Sequence, residues 1–355
     1  MMDGMAGRRA GGCNADAFEV QKETMPMTPS VPTNRPRAII TGIAGFTGPH
    51  LARLLLRHGL EVVGLDRACQ QRGVSELAGR VEVLAVDLRD AVALESVMSQ
   101  LRPDYIFHLA CLRGSADLTE LWTSNVLATD NLLRAAAAHA PHAKIFVPGS
   151  AAEVGHIDPG DLPIRETQPL RPLSPYGLTK AAQIMRVMSY RHTAGLQVYV
   201  GRTFNLVGPD EPDSMVCSAI ASQIAAIERG RRPSVVRVAH TESERDFLDI
   251  RDAVQAYWAI TSRGRVGELY NVCGGHRTSV GNILEHLVSL SAVPVTVQIA
   301  AGIVRRDDVP LSVGDPRKLR EQTGWRAEIP LKDSLAAMLE TWRKRAAMGH
   351  PMTIS

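Results

Sequence analysis

The sequence predicts an α/β fold: a doubly wound parallel sheet followed by a smaller C-terminal α/β unit. Three observations predict it. Short β-branched runs alternate with amphipathic helical stretches from Arg37 to about Val200, the pattern of right-handed β–α–β crossovers. A glycine turn stands between the first strand and the first helix, where a dinucleotide fingerprint requires it. Residues able to bind or react with a ligand fall at the carboxyl ends of the predicted strands, where open α/β sheets take their ligands.

Residues 1–35 are rich in Gly, Met, Pro, Thr and Asn and show no periodicity. They are expected to form a disordered tail. The first strand is Arg37-Ala38-Ile39-Ile40-Thr41. The turn Gly42-Ile43-Ala44-Gly45-Phe46-Thr47-Gly48 and an amphipathic helix through His50–Leu56 follow it. The first glycine permits the tight turn, the second lets backbone N–H groups approach a pyrophosphate, and the third lets helix and strand pack closely. The spacing is Gly-x-x-Gly-x-x-Gly rather than Gly-x-Gly-x-x-Gly. The second strand, Glu61–Leu65, ends on Asp66. A carboxylate there accepts from a ribose 2′-OH and repels a 2′-phosphate, which favours NAD(H). Arg67 beside it can instead meet a 2′-phosphate, so NADP(H) stays open, as does a plain turn-capping role for Asp66.

The third strand, Val81–Val86, leads to Asp87-Leu88 at the expected adenine edge. A helix over Ala91–Leu101 precedes a fourth strand, Asp104–Ala110, whose end at Leu109-Ala110 would pass a nicotinamide. A long helix from about Asp117 to His139 carries Asn125, and a fifth strand, Ala143–Val147, runs to Ser150. A helix then starts near Tyr176, and a sixth strand from Leu196 runs into Arg202-Thr203-Phe204-Asn205. Beyond Pro209 the alternation breaks, and the helix Cys217–Arg229, the segment Arg245–Asp252 and a closing helix from Leu331 suggest a second unit lying across the strand ends. The expected division is a dinucleotide-binding domain at 36–205, with part of 240–272 returning to it, a ligand domain at 206–345 and a tail at 346–355.

The composition narrows the function. With 355 residues, 45% of them hydrophobic and 22% charged, the chain can form two domains with proper cores. A formal net charge of +3 without aromatic–basic clustering gives no reason to expect a nucleic-acid partner. Five scattered cysteines with no Cys-x-x-Cys argue against a disulfide framework or a metal site and fit the reducing cytoplasm. No apolar run reaches the roughly 20 residues of a membrane span, and no signal-peptide core is visible.

Chemistry centres on Ser174-Pro175-Tyr176-Gly177-Leu178-Thr179-Lys180. Positions i and i+4 share a helix face, so the Lys180 ammonium is expected below the Tyr176 ring. A nearby cation favours the phenolate and brings the phenol toward neutrality, where it serves as a general acid or base. Tyr-x-x-x-Lys also describes an ordinary surface pair. The upstream glycine turn and Ser150 favour chemistry.

Together Gly-x-x-Gly-x-x-Gly at 42–48, the strand-end Ser150, Tyr176-x-x-x-Lys180 and Arg202-Thr203-Phe204-Asn205 resemble the extended short-chain dehydrogenase/reductases, the NAD-dependent epimerase/dehydratase family, over about Arg37 to Arg343. Within it the chain is similar to the GDP-4-keto-6-deoxy-D-mannose reductases in Gly149–Glu153, Pro169–Gly177, Arg245–Asp252, Tyr270–Gly275 and Asp308-Val309-Pro310. The resemblance implies a Rossmann domain holding NAD(H) or NADP(H) and a GDP-linked sugar as substrate. It casts Tyr176 as the proton donor to a C4 carbonyl and Lys180 as its modulator and a holder of the nicotinamide ribose. Ser150 would hydrogen-bond the carbonyl oxygen. Thr41, Phe46 and Thr47 would line the cofactor turn. Asn205, Arg202, Arg245 and Arg305 would hold the substrate, guanidinium forks suiting phosphate oxygens. Two departures matter: Val154 stands where relatives have Tyr, and Ala152 stands where the dehydratases carry the acid of the elimination. Glu153, one residue further, would point to the other side of a continuing strand.

These implications lead to a 4-ketoreductase, with a C4 epimerase, a GDP-mannose 4,6-dehydratase and a non-catalytic dinucleotide-binding protein as alternatives. The apolar stripes Leu121, Val126, Leu132, Leu133 and Ile184, Met185, Met188 are expected either to pair across a two-fold axis in a homodimer four-helix bundle or to face the chain's own sheet.

Overall fold

The computed structural model describes residues 35–67, 72–115, 117–299 and 311–348. The chain forms β1 (Arg37–Thr41), α1 (Thr47–Arg57), β2 (Glu61–Asp66), a short α2 (Arg72–Ser75), β3 (Glu82–Ala85), α3 (Ala91–Leu101) and β4 (Tyr105–His108). Next come α4 (Leu118–Trp122), a π-helical turn (Thr123–Leu127), α5 (Ala128–His139), β5 (Lys144–Ser150), α6 (Pro175–Ala194), β6 (Gln197–Thr203), β7 (Asn205–Val207) and α7 (Val216–Glu228). The chain continues as β8 (Val235–Val238), β9 (Glu244–Asp249), α8 (Ile250–Arg263), β10 (Leu269–Val272), β11 (Arg277–Ser279), α9 (Val280–Ser289) and β12 (Thr296–Ile299). It closes with β13 (Leu311–Ser312), α10 (Arg317–Thr323) and α11 (Leu331–Ala347).

Seven strands form one sheet in the order β10-β6-β5-β4-β1-β2-β3, every pair parallel. Successive residues of its central strands feed opposite cores, as strand geometry demands. Ile40, Phe107 and Phe146 pack with Leu51, Leu55 and Tyr257 of α1 and α8. Ile39, Ile106 and Ile145 pack with Leu94, Leu132 and Val187 of α3, α5 and α6. Both faces are therefore covered, which is why the strands read as continuous apolar runs.

Beyond β6 the architecture changes. Strand β9 pairs with β7 and β13 in parallel and with β11 antiparallel, and β8 pairs with β12. A third core gathers Ile220 and Ile224 of α7, Ile283 and Leu287 of α9, and Leu335, Met338 and Trp342 of α11. Helix α11 runs past residue 345, with Ala346 fully buried, so the folded part extends beyond the expected start of the C-terminal tail. The tail expected at the N-terminus lies outside the described residues. Among the described residues no helix is long and apolar enough to cross a membrane.

Most of the apolar stripes take the second of their two expected arrangements. Leu121, Val126, Leu132, Leu133 and Ile184 are buried within the chain, the last three because α5 and α6 pack on the sheet. Met188 is only partly covered, against the same core. Of the residues named, Met185 alone is largely exposed, at 68%. The outward apolar side chains on these helices are instead Leu118, Trp122, Leu127 and Leu178.

Candidate active site

The carboxyl ends of β1, β2 and β4 enclose a cleft of about 230 Å³. Gly42, Gly45, Asp66, Arg67, Asp87, Leu88, Leu109 and Ala110 line it, together with Leu65, Val86, Arg89, Cys111, Leu112, Ser124 and Ala128. Two glycines make it possible. Gly42 has φ +69°, and a Cβ on it would sit 2.7 Å from the Ala110 backbone. A Cβ on Gly48 would lie 2.2 Å from the Ile43 carbonyl oxygen, so α1 packs on the turn only without one. No side chain caps the N-terminus of α1, and its first turn holds no acidic residue. Its N–H groups and positive dipole end suit a pyrophosphate. Asp66 Oδ2 accepts the Ala44 N–H at 2.9 Å, tying the end of β2 to the turn. Arg89 forks onto Asp87, with Nε–Oδ1 at 3.0 Å, and holds that carboxyl below its usual range. These residues fit a dinucleotide.

Thr41, Phe46 and Thr47, also expected at the turn, differ in their surroundings. Thr41 is fully buried and bonds His108 Nδ1 at 2.7 Å and the Ala110 N–H at 3.2 Å. Phe46 caps α1 and Thr47 opens it, both half-buried, and the Phe46 ring meets His50 edge-on.

Ser150 ends β5, and its chain then turns into a 3-10 helix, Ala151–Glu153. Ser150 Oγ accepts the Ala152 N–H at 3.2 Å. Ser174 caps α6 by accepting the Gly177 N–H at 3.0 Å, and Pro175 occupies the first helical position, where its missing donor costs nothing. That cap places the Tyr176 phenol beside the Ser150 hydroxyl, which favours the phenolate. The Arg113 guanidinium stacks over the Tyr176 ring, 5.3 Å from the centroid.

The expected Tyr176–Lys180 relation is modified. Burial pushes the Tyr176 phenol above its ordinary range; Cys111 and Glu153 add to this, while Arg113 and Ser150 oppose it. Lys180 is 2% exposed, and its Nζ donates to the Pro148 carbonyl at 2.7 Å and to Gln183 Oε1. The i, i+4 spacing put the two residues on one helix face, but the ammonium reaches toward the end of β5.

Residues 39–338 match the sequence profile of the family described as GDP-mannose 4,6 dehydratase. The chain belongs to that family, within the NAD-dependent epimerases/dehydratases or extended short-chain dehydrogenase/reductases. It is 30% identical to GDP-6-deoxy-D-mannose reductase of Pseudomonas aeruginosa over 87% of this chain and 98% of that one. It is similar to the structure of RMD from Pseudomonas aeruginosa complexed with NADPH, at TM-score 0.74 and 29% identity over 87% and 99% of the two chains. The Thermus thermophilus UDP-glucose 4-epimerase complex with NAD gives TM-score 0.77 and 26% identity over 86% and 99%. As an extended short-chain dehydrogenase/reductase, this protein is an NAD(P)-dependent enzyme that modifies nucleotide sugars.

Among the expected substrate residues of this family member, Asn205 and Arg245 come together. Asn205 pairs with Phe247 across β7 and β9, and Arg245, two residues earlier, shares that face. Both are half-buried; Asn205 donates to the Asp246 carbonyl at 3.2 Å. Asp246 itself accepts from the Gly274, Gly275 and Gly314 N–H groups, and burial raises its carboxyl to about 6. Arg305 and Asp308-Val309-Pro310 lie outside the described residues. Arg202 is a correction: it is 2% exposed and lies 3.4 Å from Glu153, with a second bond to the Arg165 carbonyl. It pairs with the carboxylate that accepts the Ser150 N–H. Glu153 is also fully buried, but for a different reason from the one expected. The strand does not continue. The 3-10 turn folds the carboxylate back to accept the Ser150 N–H at 2.6 Å.

Sequence reasoning missed Arg113, Cys111 and Glu211. Glu211 is buried, one of its oxygens has no hydrogen-bond partner, and burial raises its carboxyl to about 8 against the opposing charge of Arg113. Arg113 and Cys111 follow the Leu109-Ala110 strand end directly, so position after a parallel strand was the available signal. Nothing in the local sequence pointed to Glu211.

Proposed function

We propose that the enzyme reduces the C4 keto group of a nucleotide-linked 4-keto-6-deoxyhexose, GDP-4-keto-6-deoxy-D-mannose, to GDP-D-rhamnose. The carrying observation is the Ser150–Tyr176 hydroxyl pair beside the dinucleotide cleft, in a site whose nearest carboxylate is sealed away. A bound NADH or NADPH supplies the hydride. Tyr176 delivers the proton to the carbonyl oxygen, Ser150 hydrogen-bonds that oxygen as charge grows on it, and Lys180 holds and polarises the phenol side of the site. Asn205, Arg245 and Arg305 hold the nucleotide diphosphate. Dehydration at C5–C6 requires a proton carrier, and Ala152 has none, while Glu153 is committed to the Ser150 N–H. The P. aeruginosa reductase likeness supports the same choice.

The epimerase likeness supports a second reading, C4 epimerisation with retained dinucleotide. Incubation with GDP-4-keto-6-deoxymannose and NADH or NADPH separates them. Reduction consumes dihydronicotinamide absorbance in proportion to product, and NMR gives the product's configuration. Turnover without net consumption would replace reduction by epimerisation, and inertness toward the keto sugar would remove both.

NAD(H) is the expected partner of Asp66. Arg89, the other guanidinium at the cleft, is neutralised by Asp87, so a 2′-phosphate meets the Asp66 carboxylate with Arg67 as its nearby cation. For Asp66→Ala, the ratio of kcat/KM for NADH over NADPH is expected to fall about tenfold or more, the scale of a hydrogen bond to a charged group. An unchanged ratio would show that Asp66 does not read the ribose.

A homodimer is expected through the outer faces of α4 and α6. Leu118 and Trp122 lie one turn apart on α4, Leu178 and Met185 two turns apart on α6, and the two helices pack side by side. Such an apolar face favours self-association. Light scattering is expected to give twice the chain mass, and Met185→Glu with Trp122→Glu to halve it.

A further inference from the structure

A buried run of side chains connects the glycine turn to Lys180, and its hydrogens can be assigned without ambiguity. Thr129 Oγ1 lies 2.6 Å from the Asn125 carbonyl oxygen, which can only accept, so the one hydroxyl hydrogen goes there. Thr129 Oγ1 must then accept from both of its other neighbours, His108 Nε2 at 2.8 Å and Gln183 Nε2 at 2.7 Å. His108 is neutral, since burial and the Lys180 charge hold it down to about 3. Its single ring hydrogen is therefore on Nε2, and bare Nδ1 accepts from the Thr41 hydroxyl. The Gln183 amide is fixed in the same way. Its NH₂ faces Thr129, so Oε1 faces the Lys180 ammonium; the flipped amide would set NH₂ against that ammonium and leave an oxygen facing an oxygen. Lys180 gives its second hydrogen to Pro148, and its third has no acceptor among the described residues.

We propose that Gln183 is a positioning residue for catalysis: locked from behind by Thr129 and His108, it takes one ammonium hydrogen of Lys180 and ties the lysine's direction to Thr41, the last residue before the cofactor turn. The inference deepens the ketoreductase reading, since it rests on Tyr176 acting as the proton donor. Thr41, His108, Asn125, Thr129, Lys180 and Gln183 are all nearly or fully buried, so water cannot replace a missing partner without opening the core. A lysine with a single fixed acceptor sweeps a wider cone, and less of its charge falls on the phenol. Cys111 and Arg113 after β4 and Glu153 after β5 are charged or titratable groups that act on the Tyr176 phenol, and changes at Gln183 leave all three in place.

The test uses the full-length protein with bound NADH or NADPH and two readouts that need no sugar substrate. One is dinucleotide Kd by tryptophan fluorescence. The other is the tyrosinate titration of Tyr176, taken as the difference from the Tyr176→Phe protein. Gln183→Met is expected to weaken dinucleotide binding about three- to tenfold, the worth of one net hydrogen bond, and to move the Tyr176 midpoint up by about one pH unit. Gln183→Glu retains the acceptor but sets a carboxylate beside Lys180, and is expected to move the midpoint at least as far. If Gln183→Met does not fold, Thr129→Val decides the matter, because it frees Gln183 while leaving both acceptors of Lys180; a smaller shift in the same direction is expected. Wild-type Kd and midpoint in whichever of these variants folds would overturn the proposal. Shifts in both readouts in a protein inert toward the keto sugar would uphold it while removing the ketoreductase reading.

Discussion

Tyr176→Phe is expected to lower turnover by about two to four orders of magnitude, the usual contribution of a placed general acid, while dinucleotide affinity changes little. The substitution removes one hydroxyl and keeps the ring, so the stacking of Arg113 over that ring survives. What disappears is the hydroxyl beside Ser150 and the proton it would deliver to the substrate. The pH dependence follows. Burial holds the phenol above its ordinary range, and the Arg113 cation and the Ser150 hydroxyl oppose this. A donor works while protonated, so keto reduction is expected to persist through neutral pH and to fall as pH rises through the Tyr176 midpoint. Alcohol oxidation by the same site needs the phenolate and is expected to rise over that interval. Single-turnover kinetics with the keto sugar, alongside dinucleotide titration, check both statements. Wild-type-like turnover in Tyr176→Phe would remove Tyr176 from the reaction.

Much of this site was legible because it depends on local rules. The glycine turn, Asp66, Ser150 and Tyr176 each sit at a strand end or a helix start, and strands and helices announce their boundaries through periodicity and caps. The first five strands and the longer helices between them fall where the alternation put them, with ends that differ by up to three residues, while the short α2 was not expected. The misses share a different cause. Asn125 lies in a π-helical turn that re-aims it at both the N–H and the carbonyl of Leu112. A period count over 117–139 passes through that turn as ordinary helix. The small strands β7, β8, β11, β12 and β13 run two to four residues each, too short for an alternating pattern to emerge. Arg202 was placed with the substrate because guanidinium suits phosphate. Whether such a group faces a ligand or a buried carboxylate depends on which face of β6 it occupies and what packs there, and that is a tertiary fact. The Arg113–Tyr176 and Lys180–Gln183 contacts are likewise set by the meeting of separate elements, or by rotamers that spacing alone does not choose.

Arg202→Met carries the second large expected effect, on stability rather than on binding. Arg202 and Glu153 are 2% and 0% exposed at 3.4 Å separation, so removing the cation strands a carboxylate in the interior. Breaking a buried pair in this way costs about 3–5 kcal/mol, a large share of the roughly 5–15 kcal/mol of a typical protein. The sign of its pH dependence is fixed by Glu153. Burial already raises that carboxyl, with Arg202 the largest opposing charge. Losing Arg202 raises it further, so the folded variant binds a proton that the unfolded chain releases. Stability tied to a raised carboxyl is present below the unfolded value and is lost as pH rises through the folded one. The deficit of Arg202→Met relative to wild type is therefore expected to be larger at about pH 8 than at about pH 5. Adding Glu153→Gln removes the stranded charge but keeps an acceptor for the Ser150 N–H, and is expected to recover much of the loss. Urea denaturation of wild type and the two variants at both pH values measures this. Kinetics on the folded fraction test the placement itself, because an arginine behind the site leaves the KM of the sugar nucleotide near wild type. A variant with unchanged stability and a KM raised tenfold or more would return Arg202 to the substrate.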